Sequence, residues 1–203
     1  MKNFFVKYGY DSMKLLLAQV AIALFGFTLA AVSSKHGILS IITSILSILF
    51  YLFIVYIDLW PVGSRDASAV HRGAQKPAPW RGFVIAMVAN IPNLILAVLY
   101  TIGYPSMAEQ EWAGNLCAVT RIILMIAEGM YNGLIGHVSV GGVLLREFWW
   151  TYFLTPIPCL LVSGFAYIMG TRRKTFTKLF TPPVPESDRE PKKKNRFFSR
   201  KDE

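Results

Sequence analysis

Four long apolar runs alternate with charged segments along the chain. The runs cover residues 15–32, 38–57, 82–102 and 153–170. A helix needs about 20 mostly apolar residues to cross the roughly 30 Å hydrocarbon core of a bilayer. Each run is close to that length, so the pattern predicts four transmembrane helices.

A fifth segment, residues 113–140, has helical periodicity but carries polar and charged side chains. Arg121 and Glu128 are two helical turns apart and therefore share one helix face, and Asn132 follows one turn later. Two turns span about 10 Å, which is long for a direct ion pair. A charged side chain at membrane depth costs a few kcal/mol or more, so such a residue indicates a functional site. An internal ion pair, or a segment lying in the interface, is the structural alternative.

The third run is interrupted at its middle by Asn90, Pro92 and Asn93. A backbone break inside the membrane is tolerated only where it faces protein or water, and transporters build binding sites at such breaks. A proline kink that neighbouring helices satisfy is the alternative. We therefore predict a candidate intramembrane polar site, and its members come from the third run and the polar segment: Asn90, Asn93, Arg121, Glu128 and Asn132.

Basic residues are concentrated at three places along the chain. Three precede the first run, four lie between the second and third runs, and eleven follow Gly170, out of 21 in all. Basic segments near membrane spans stay in the cytoplasm. Both chain ends are therefore expected there, which requires an even number of crossings.

The predicted fold is an all-α polytopic transmembrane bundle with four full crossings and one polar re-entrant or broken helix over residues 113–140. Five or six crossings are the alternative, with Gly141–Gly142 as the natural break for a sixth. The transmembrane domain is expected to cover residues 1–178, followed by a disordered basic cytoplasmic tail over residues 179–203. The first run exceeds the usual length of a signal-peptide core, so it predicts a retained anchor.

Composition supports a membrane protein and argues against nucleic-acid binding. The chain is 54% hydrophobic and 16% charged, whereas a typical soluble domain carries about 25% charged residues. The net charge of +9 flanks apolar runs instead of forming a stripe, which favours anionic lipid as its partner. The residues expected to contact lipid headgroups lie in the inner loop and the tail: Arg72, Lys76, Arg81, Lys192, Lys193 and Lys194.

No pattern in the chain predicts catalysis, a metal or a cofactor. The two cysteines, Cys117 and Cys159, lie in apolar stretches without a zinc-ligand spacing. Phosphate-binding loops and the common hydrolase motifs do not occur. In the inner loop we expect Arg65 and Asp66 to pair locally.

One set of positions resembles a group of uncharacterised small multi-pass membrane proteins of clostridia-like bacteria. The positions lie in the inner loop, the third run and the last run: Trp60, Gly63, Asp66, Val70, Gly73, Gly82-Phe83, Asn90-Ile-Pro92, Gly164-Phe-Ala-Tyr167 and Gly170. The resemblance covers about half of the chain. It implies a bacterial inner membrane setting and no particular activity.

Two functional classes fit these features, and a lipid-acting enzyme is a third. The small size favours a non-catalytic accessory or scaffold subunit of a membrane complex. The alternative is a small transport or ligand-binding protein that works as an oligomer. Either reading predicts a location in the cell (inner) membrane, with a second copy or another membrane protein as partner.

Overall fold

The computed structural model describes residues 2–74, 76 and 78–173. This part of the chain is mostly helical. Its helices and strands are, in chain order, α1 Lys2–Ser33, α2 Gly37–His71, α3 Arg81–Ala89, α4 Ile91–Gly103, α5 Glu111–Ala127, α6 Asn132–His137, β1 Ser139–Val140, β2 Val143–Leu144, α7 Thr151–Leu154 and α8 Pro156–Thr171. Short 3₁₀ turns cover Tyr104–Ser106, Gly129–Tyr131 and Leu145–Glu147. The predicted tail over residues 179–203 lies outside the described residues.

Three helical segments are each long and apolar enough to cross a membrane: Phe5–Ser33, Gly37–His71 and Thr151–Thr171. Two further pairs pass the same test only when each bent pair is taken together. Helices α3 and α4 meet at 57°, and α5 meets the segment beginning at Gly129 at 86°. The described residues therefore hold three to five candidate membrane-spanning helices.

The outer faces of these helices are apolar and exposed. Leu17, Leu46, Ile122 and Leu161 each leave about three-fifths of their surface uncovered, between 60% and 64%. Soluble monomers rarely expose apolar patches larger than a few hundred Å². A continuous belt of such residues is typical of a surface that faces lipid or another membrane protein.

Helix α2 is longer than the sequence predicts. We expected the second span to end at residue 57 and a loop to follow, but the helix runs through Pro61 to His71. Proline removes one backbone hydrogen bond and normally kinks a helix. Here the extension has a buried face, which includes Leu59 and Val62, and it packs closely on α8. Tertiary packing therefore overrides the local helix-breaking signal.

Helices α1 and α2 are antiparallel and are joined at one end by three ion pairs. Lys7 contacts Asp66 at 3.0 Å, and two further pairs, Lys14–Asp58 and Arg65–Asp11, have N···O distances of 2.7 Å. The expected local pair of Arg65 with Asp66 is therefore wrong. Successive residues of a helix point about 100° apart, so each side chain reaches a different neighbour.

Two sides of the bundle can be defined from these contacts. The termini side contains the beginning of α1, the connection over residues 72–80 and the end of α8. The hairpin side contains the turn over residues 34–36, the connection from α4 to α5, and the β1–β2 hairpin. Gly141 and Gly142 form the two-residue turn of that hairpin, with φ of 62° and 82°. Positive φ at both positions is the requirement of a type I′ turn.

The chain from α5 to α6 enters the bundle from the hairpin side and returns to it. At the bend, Gly129 lies against the backbone of Ala23. Further along, Gly133 lies against Ser40, and His137 reaches Gly37 at the beginning of α2. Ala23 is ten residues before the end of α1, which places the bend about 15 Å below that end. Gly129 and Gly133 therefore each allow a close approach to a different helix.

The predicted break in the third run is also confirmed. Helix α3 ends at Ala89 and α4 begins at Ile91, with Pro92 in the first turn of α4. Proline is accepted there because a first-turn N–H has no partner within the helix. The Asn90 side chain donates to the Ala86 carbonyl of α3 at 2.9 Å and accepts from Gln19 of α1 at 3.3 Å, so its amide is satisfied partly by its own helix and partly by a neighbouring one.

Candidate binding pocket and buried polar groups

A pocket of about 390 Å³ lies on the hairpin side. Its polar lining consists mainly of Arg121, Asn132, His137 and Arg146. Its apolar lining includes Phe27 of α1 and other side chains of α1, α5 and α6. The pocket therefore combines cationic groups with an apolar wall.

Glu147 joins the two arginines of the pocket. Arg121 donates to both carboxylate oxygens of Glu147, at 2.6 and 3.2 Å. Arg146 donates from Nε to one of the same oxygens at 3.2 Å. Two positive charges thus share one negative charge, so the group carries a net positive charge. Each guanidinium has five N–H donors, and three of their donors bind Glu147.

Two uncharged groups complete the polar wall of the pocket. Asn132 donates to the Met125 carbonyl at 2.6 Å, while its Oδ1 atom is buried and has no hydrogen-bond partner among the described residues. His137 Nδ1 lies 3.1 Å from the Gly133 carbonyl. A carbonyl oxygen only accepts, so this contact places the proton on Nδ1 and leaves Nε2 available.

Glu128 lies at the bend between α5 and the following turn, and it does not pair with Arg121. Its side chain is 1% exposed. The Thr155 hydroxyl lies 2.6 Å from Oε1, and Oε2 has no hydrogen-bond partner among the described residues. The structure therefore brings Arg121 and Asn132 together in the pocket and buries Glu128 behind it.

The two asparagines of the broken third run lie elsewhere. Asn90 is 1% exposed and accepts from Gln19 at 3.3 Å, and its amide points to the Cys159 sulfur at 3.6 Å. Asn93 is buried in α4. The five predicted site residues thus do not form one cavity, because the α3–α4 break faces α1 and α8.

Helix α8 and the residues just before it carry a buried polar stripe. Its members repeat at helical spacing and are each at most 7% exposed: Tyr152, Thr155, Cys159, Ser163 and Tyr167. Glu128 meets this stripe at Thr155, and Asp66 meets it at Tyr167. The stripe lines the interior of the bundle between the two buried acids.

Asp66 is the centre of a second polar cluster, near the termini side. Its carboxylate accepts from Tyr8 at 2.6 Å, from Tyr167 at 2.7 Å and from Lys7 at 3.0 Å. Arg81 lies 3.6 Å away. Asp66 also lines a cavity of about 430 Å³, but its oxygens are already occupied by donors. The cluster therefore serves to hold α1, α2, α3 and α8 together.

The basic residues expected at lipid headgroups differ in their surroundings. Arg72 and Lys76 are exposed on the termini side. Arg81 is directed at Asp66, and its side chain is 15% exposed. Lys192, Lys193 and Lys194 lie outside the described residues. Headgroup contact stays a prediction for Arg72, Lys76 and the tail, while Arg81 has an internal ion pair.

Glu147 gives the pocket a testable dependence on pH. Burial alone raises the pKa of its carboxyl, but the hydrogen bonds and charge of Arg121, and then of Arg146, lower that pKa below its ordinary value of 4.5. A lowered pKa means that the folded protein binds fewer protons than the unfolded chain, so acid favours unfolding. We expect wild type to exceed Glu147→Gln in stability at neutral pH.

That difference should vanish as the pH falls through the lowered pKa of Glu147. Thermal unfolding of the purified protein, measured over a pH series, gives the comparison. Glu111→Gln removes a carboxyl from an exposed position at the beginning of α5 and serves as the control. A pH-independent difference between wild type and Glu147→Gln would contradict the assignment.

No known protein family matches the chain, and no curated protein or solved structure is similar to it.

Proposed function

We propose that the chain is an inner-membrane protein with four crossings, made by α1, α2, the α3–α4 pair and the α7–α8 segment. The α5–α6 segment is the re-entrant fifth element. The termini side faces the cytoplasm, because it carries most of the basic residues. The return of His137 to the beginning of α2 supports this arrangement.

Cysteine labelling tests the topology. Single cysteines at Ser34, Glu109, Ser139 and Ala74 all lie at exposed positions. In intact cells, we expect a membrane-impermeant thiol reagent to label the first three and not Ala74→Cys. The native thiols are buried, so the unsubstituted protein is the background control. If only one of Glu109→Cys and Ser139→Cys were labelled in intact cells, the two positions would lie on opposite sides of the membrane and the chain would cross it five times.

We propose that the protein binds an anion with an apolar body in the hairpin-side pocket, as a small transport or ligand-binding protein. The observation that carries this proposal is the pair of guanidinium groups, Arg121 and Arg146, that share Glu147. Arginine is the usual residue for recognising phosphate and carboxylate groups. An anion at Arg146 would balance the remaining positive charge.

The rest of the lining narrows the ligand class. Phe27, Met125 and Ile135 form an apolar wall beside the arginines. Small-molecule sites are mostly apolar, with a few polar groups that set orientation. A phosphate or carboxylate attached to a hydrocarbon body fits this arrangement better than a small inorganic anion does.

Native mass spectrometry of the purified protein tests the ligand class with defined probes. Phosphatidylglycerol, phosphatidylcholine and inorganic phosphate are compared on wild type, Arg146→Gln and Lys35→Gln. A hydrogen bond to a charged group contributes about 1.5–3 kcal/mol, so losing one weakens binding about tenfold or more. We expect that loss for phosphatidylglycerol in Arg146→Gln. Lys35 is exposed on the same side and outside the pocket lining, so Lys35→Gln controls for charge.

Equal binding of phosphatidylglycerol and phosphatidylcholine would contradict the need for an anion. If Arg146→Gln and Lys35→Gln weakened the binding of phosphatidylglycerol equally, the effect would follow from surface charge in general and not from a specific site. Phosphate that binds as well as phosphatidylglycerol would identify the anion alone as the ligand and contradict the role of the apolar wall.

A role as a non-catalytic accessory subunit stays a prediction, as do the homo-oligomer and the bacterial group that the sequence resembles. Lipid-facing and partner-facing surfaces of membrane helices are both apolar. The exposed apolar belt therefore supports a membrane location and does not separate a lone carrier from a subunit of a complex.

A further inference from the structure

The bundle buries two carboxyl groups to the same extent but surrounds them differently. Asp66 and Glu128 are each 1% exposed. Asp66 has two tyrosine hydroxyls, one lysine and one arginine around it. Glu128 has one hydroxyl, that of Thr155. Burying an unpaired carboxylate is far more costly than burying a neutral carboxyl group.

No cation balances Glu128 within residues 2–74, 76 and 78–173. None of the ion pairs in this part of the chain involves Glu128. Arg121, the nearest cation in the same segment, pairs with Glu147. From α1, Ala23 and Phe27, which pack against the adjacent Gly129, are apolar.

The titratable groups that interact with Glu128 are tyrosines, which are neutral acids: Tyr51, Tyr131 and Tyr152. From α2, Tyr51 donates to the Cys159 sulfur of α8 at 3.1 Å. From α7, Tyr152 donates to the Arg146 carbonyl at 3.1 Å. Tyr131, three residues after Glu128, has a buried hydroxyl with no hydrogen-bond partner among the described residues. None of these groups supplies a positive charge.

The contacts of Thr155 indicate where the proton lies. Its hydroxyl is 2.6 Å from Glu128 Oε1 and 3.1 Å from the Tyr152 carbonyl oxygen. A hydroxyl donates one hydrogen bond, and a carbonyl oxygen only accepts. When Thr155 donates to the Tyr152 carbonyl, as threonine inside a helix often does, the 2.6 Å contact is a hydrogen bond only if Glu128 carries a proton that it donates to Thr155.

We propose that Glu128 is a proton-binding site within the membrane domain, which holds its proton at neutral pH and exchanges it with solvent. On exchange, the carboxyl O–H bond breaks and the proton passes to a water molecule. The Thr155 hydroxyl then turns from the Tyr152 carbonyl to donate to the new carboxylate. Three lining residues of the hairpin-side pocket, Met125, Asn132 and Tyr152, lie within four residues of Glu128 or Thr155.

This inference rests on the surroundings of Glu128 and not on the anion proposed for the pocket. Either proposal can therefore fail alone. The proton site needs no ligand bound in the pocket.

Infrared spectroscopy of the full-length protein in lipid nanodiscs tests the proposal directly. A protonated carboxyl has a C=O absorption separate from that of a carboxylate. We expect this absorption in wild type at neutral pH and its loss in Glu128→Gln. We expect it to persist in Asp66→Asn, since Asp66 is paired with cations. In D₂O the absorption should shift, because the exchanged group carries deuterium.

Carbodiimide labelling gives a second measurement on wild type, in case Glu128→Gln does not fold. The reagent modifies protonated carboxyl groups in apolar surroundings, and peptide mass spectrometry locates the product. We expect modification at Glu128 and none at Asp66, with less modification as the pH rises. An unchanged absorption in Glu128→Gln, or no wild-type absorption together with no labelling, would overturn the proton site. An absorption that does not shift in D₂O would show that the proton of Glu128 does not exchange with solvent. If sodium ions protected Glu128 from carbodiimide and a change of pH did not, the residue would be a sodium site instead.

Discussion

Replacing Gly63 by alanine should be among the most destabilising single changes in the protein. A Cβ at Gly63 would overlap the Tyr167 carbonyl oxygen, and one at Gly170 would overlap that of Trp60. Neither contact is tolerated, so α2 and α8 must separate. Overpacking of this kind costs about 3 kcal/mol, which lowers the unfolding midpoint by about 6–12 °C in a chain of this size.

Gly164→Ala is the matched control for this prediction, since it makes the same chemical change within α8. A Cβ at Gly164 meets nothing within 4 Å. Alanine favours helix over glycine by about 1 kcal/mol, so the control should be neutral or slightly stabilising. Thermal unfolding in detergent, followed by size-exclusion of the soluble fraction, compares the two variants. Equal midpoints for Gly63→Ala and Gly164→Ala would show that the α2–α8 contact is not as close as described.

Replacing Asp66 by asparagine should destabilise the protein by about 3 kcal/mol, the lower end of the cost of breaking a buried ion pair. The lower end applies because Lys7 is 39% exposed and water partly screens its charge. The change leaves Lys7 and Arg81 close together without the carboxylate between them. It also turns an amide toward hydroxyls that donated to Asp66. Denaturation in mixed micelles gives the free energy of unfolding.

Asp58→Asn is the matched control, since it makes the same chemical change about two turns earlier in α2. Its partner Lys14 is 54% exposed, and exposed pairs contribute about 1 kcal/mol or less. We therefore expect a large difference between the two asparagine variants. If Asp58→Asn destabilised the protein as much as Asp66→Asn, the effect would follow from net charge and not from the buried cluster.

Hydrophobic patterning predicts the helices and the two irregular segments well. The apolar runs gave the candidate spans, and Asn90 with Pro92 located the break between α3 and α4. The distribution of basic residues predicted that the polar segment begins and ends on one side, which agrees with the contact of His137 with Gly37. The number of full crossings stays a prediction. Each of these features depends either on neighbouring residues or on the number of basic residues in a segment, and both can be read from the sequence alone.

The polar partners could not be predicted because they are distant along the chain. Arg121 and Glu147 are 26 residues apart, and Tyr167 lies 101 residues from Asp66. Helical periodicity placed Arg121 and Glu128 on one face but carried no information on what that face meets. An arginine at membrane depth needs a counter-ion, and Glu147 beside Arg146 was the available signal. The extension of α2 likewise depends on packing against α8.

The bend after α5 also determines where a helix dipole ends. The last carbonyl groups of a helix carry about half an elementary negative charge, and here they lie inside the bundle instead of at a water-facing end. The Asn132 amide donates to the Met125 carbonyl and so offsets part of this negative charge. In a low-dielectric interior this partial charge repels anions and attracts cations. For the anion proposed at Arg121 and Arg146, this partial charge would be an electrostatic barrier to movement past the bend.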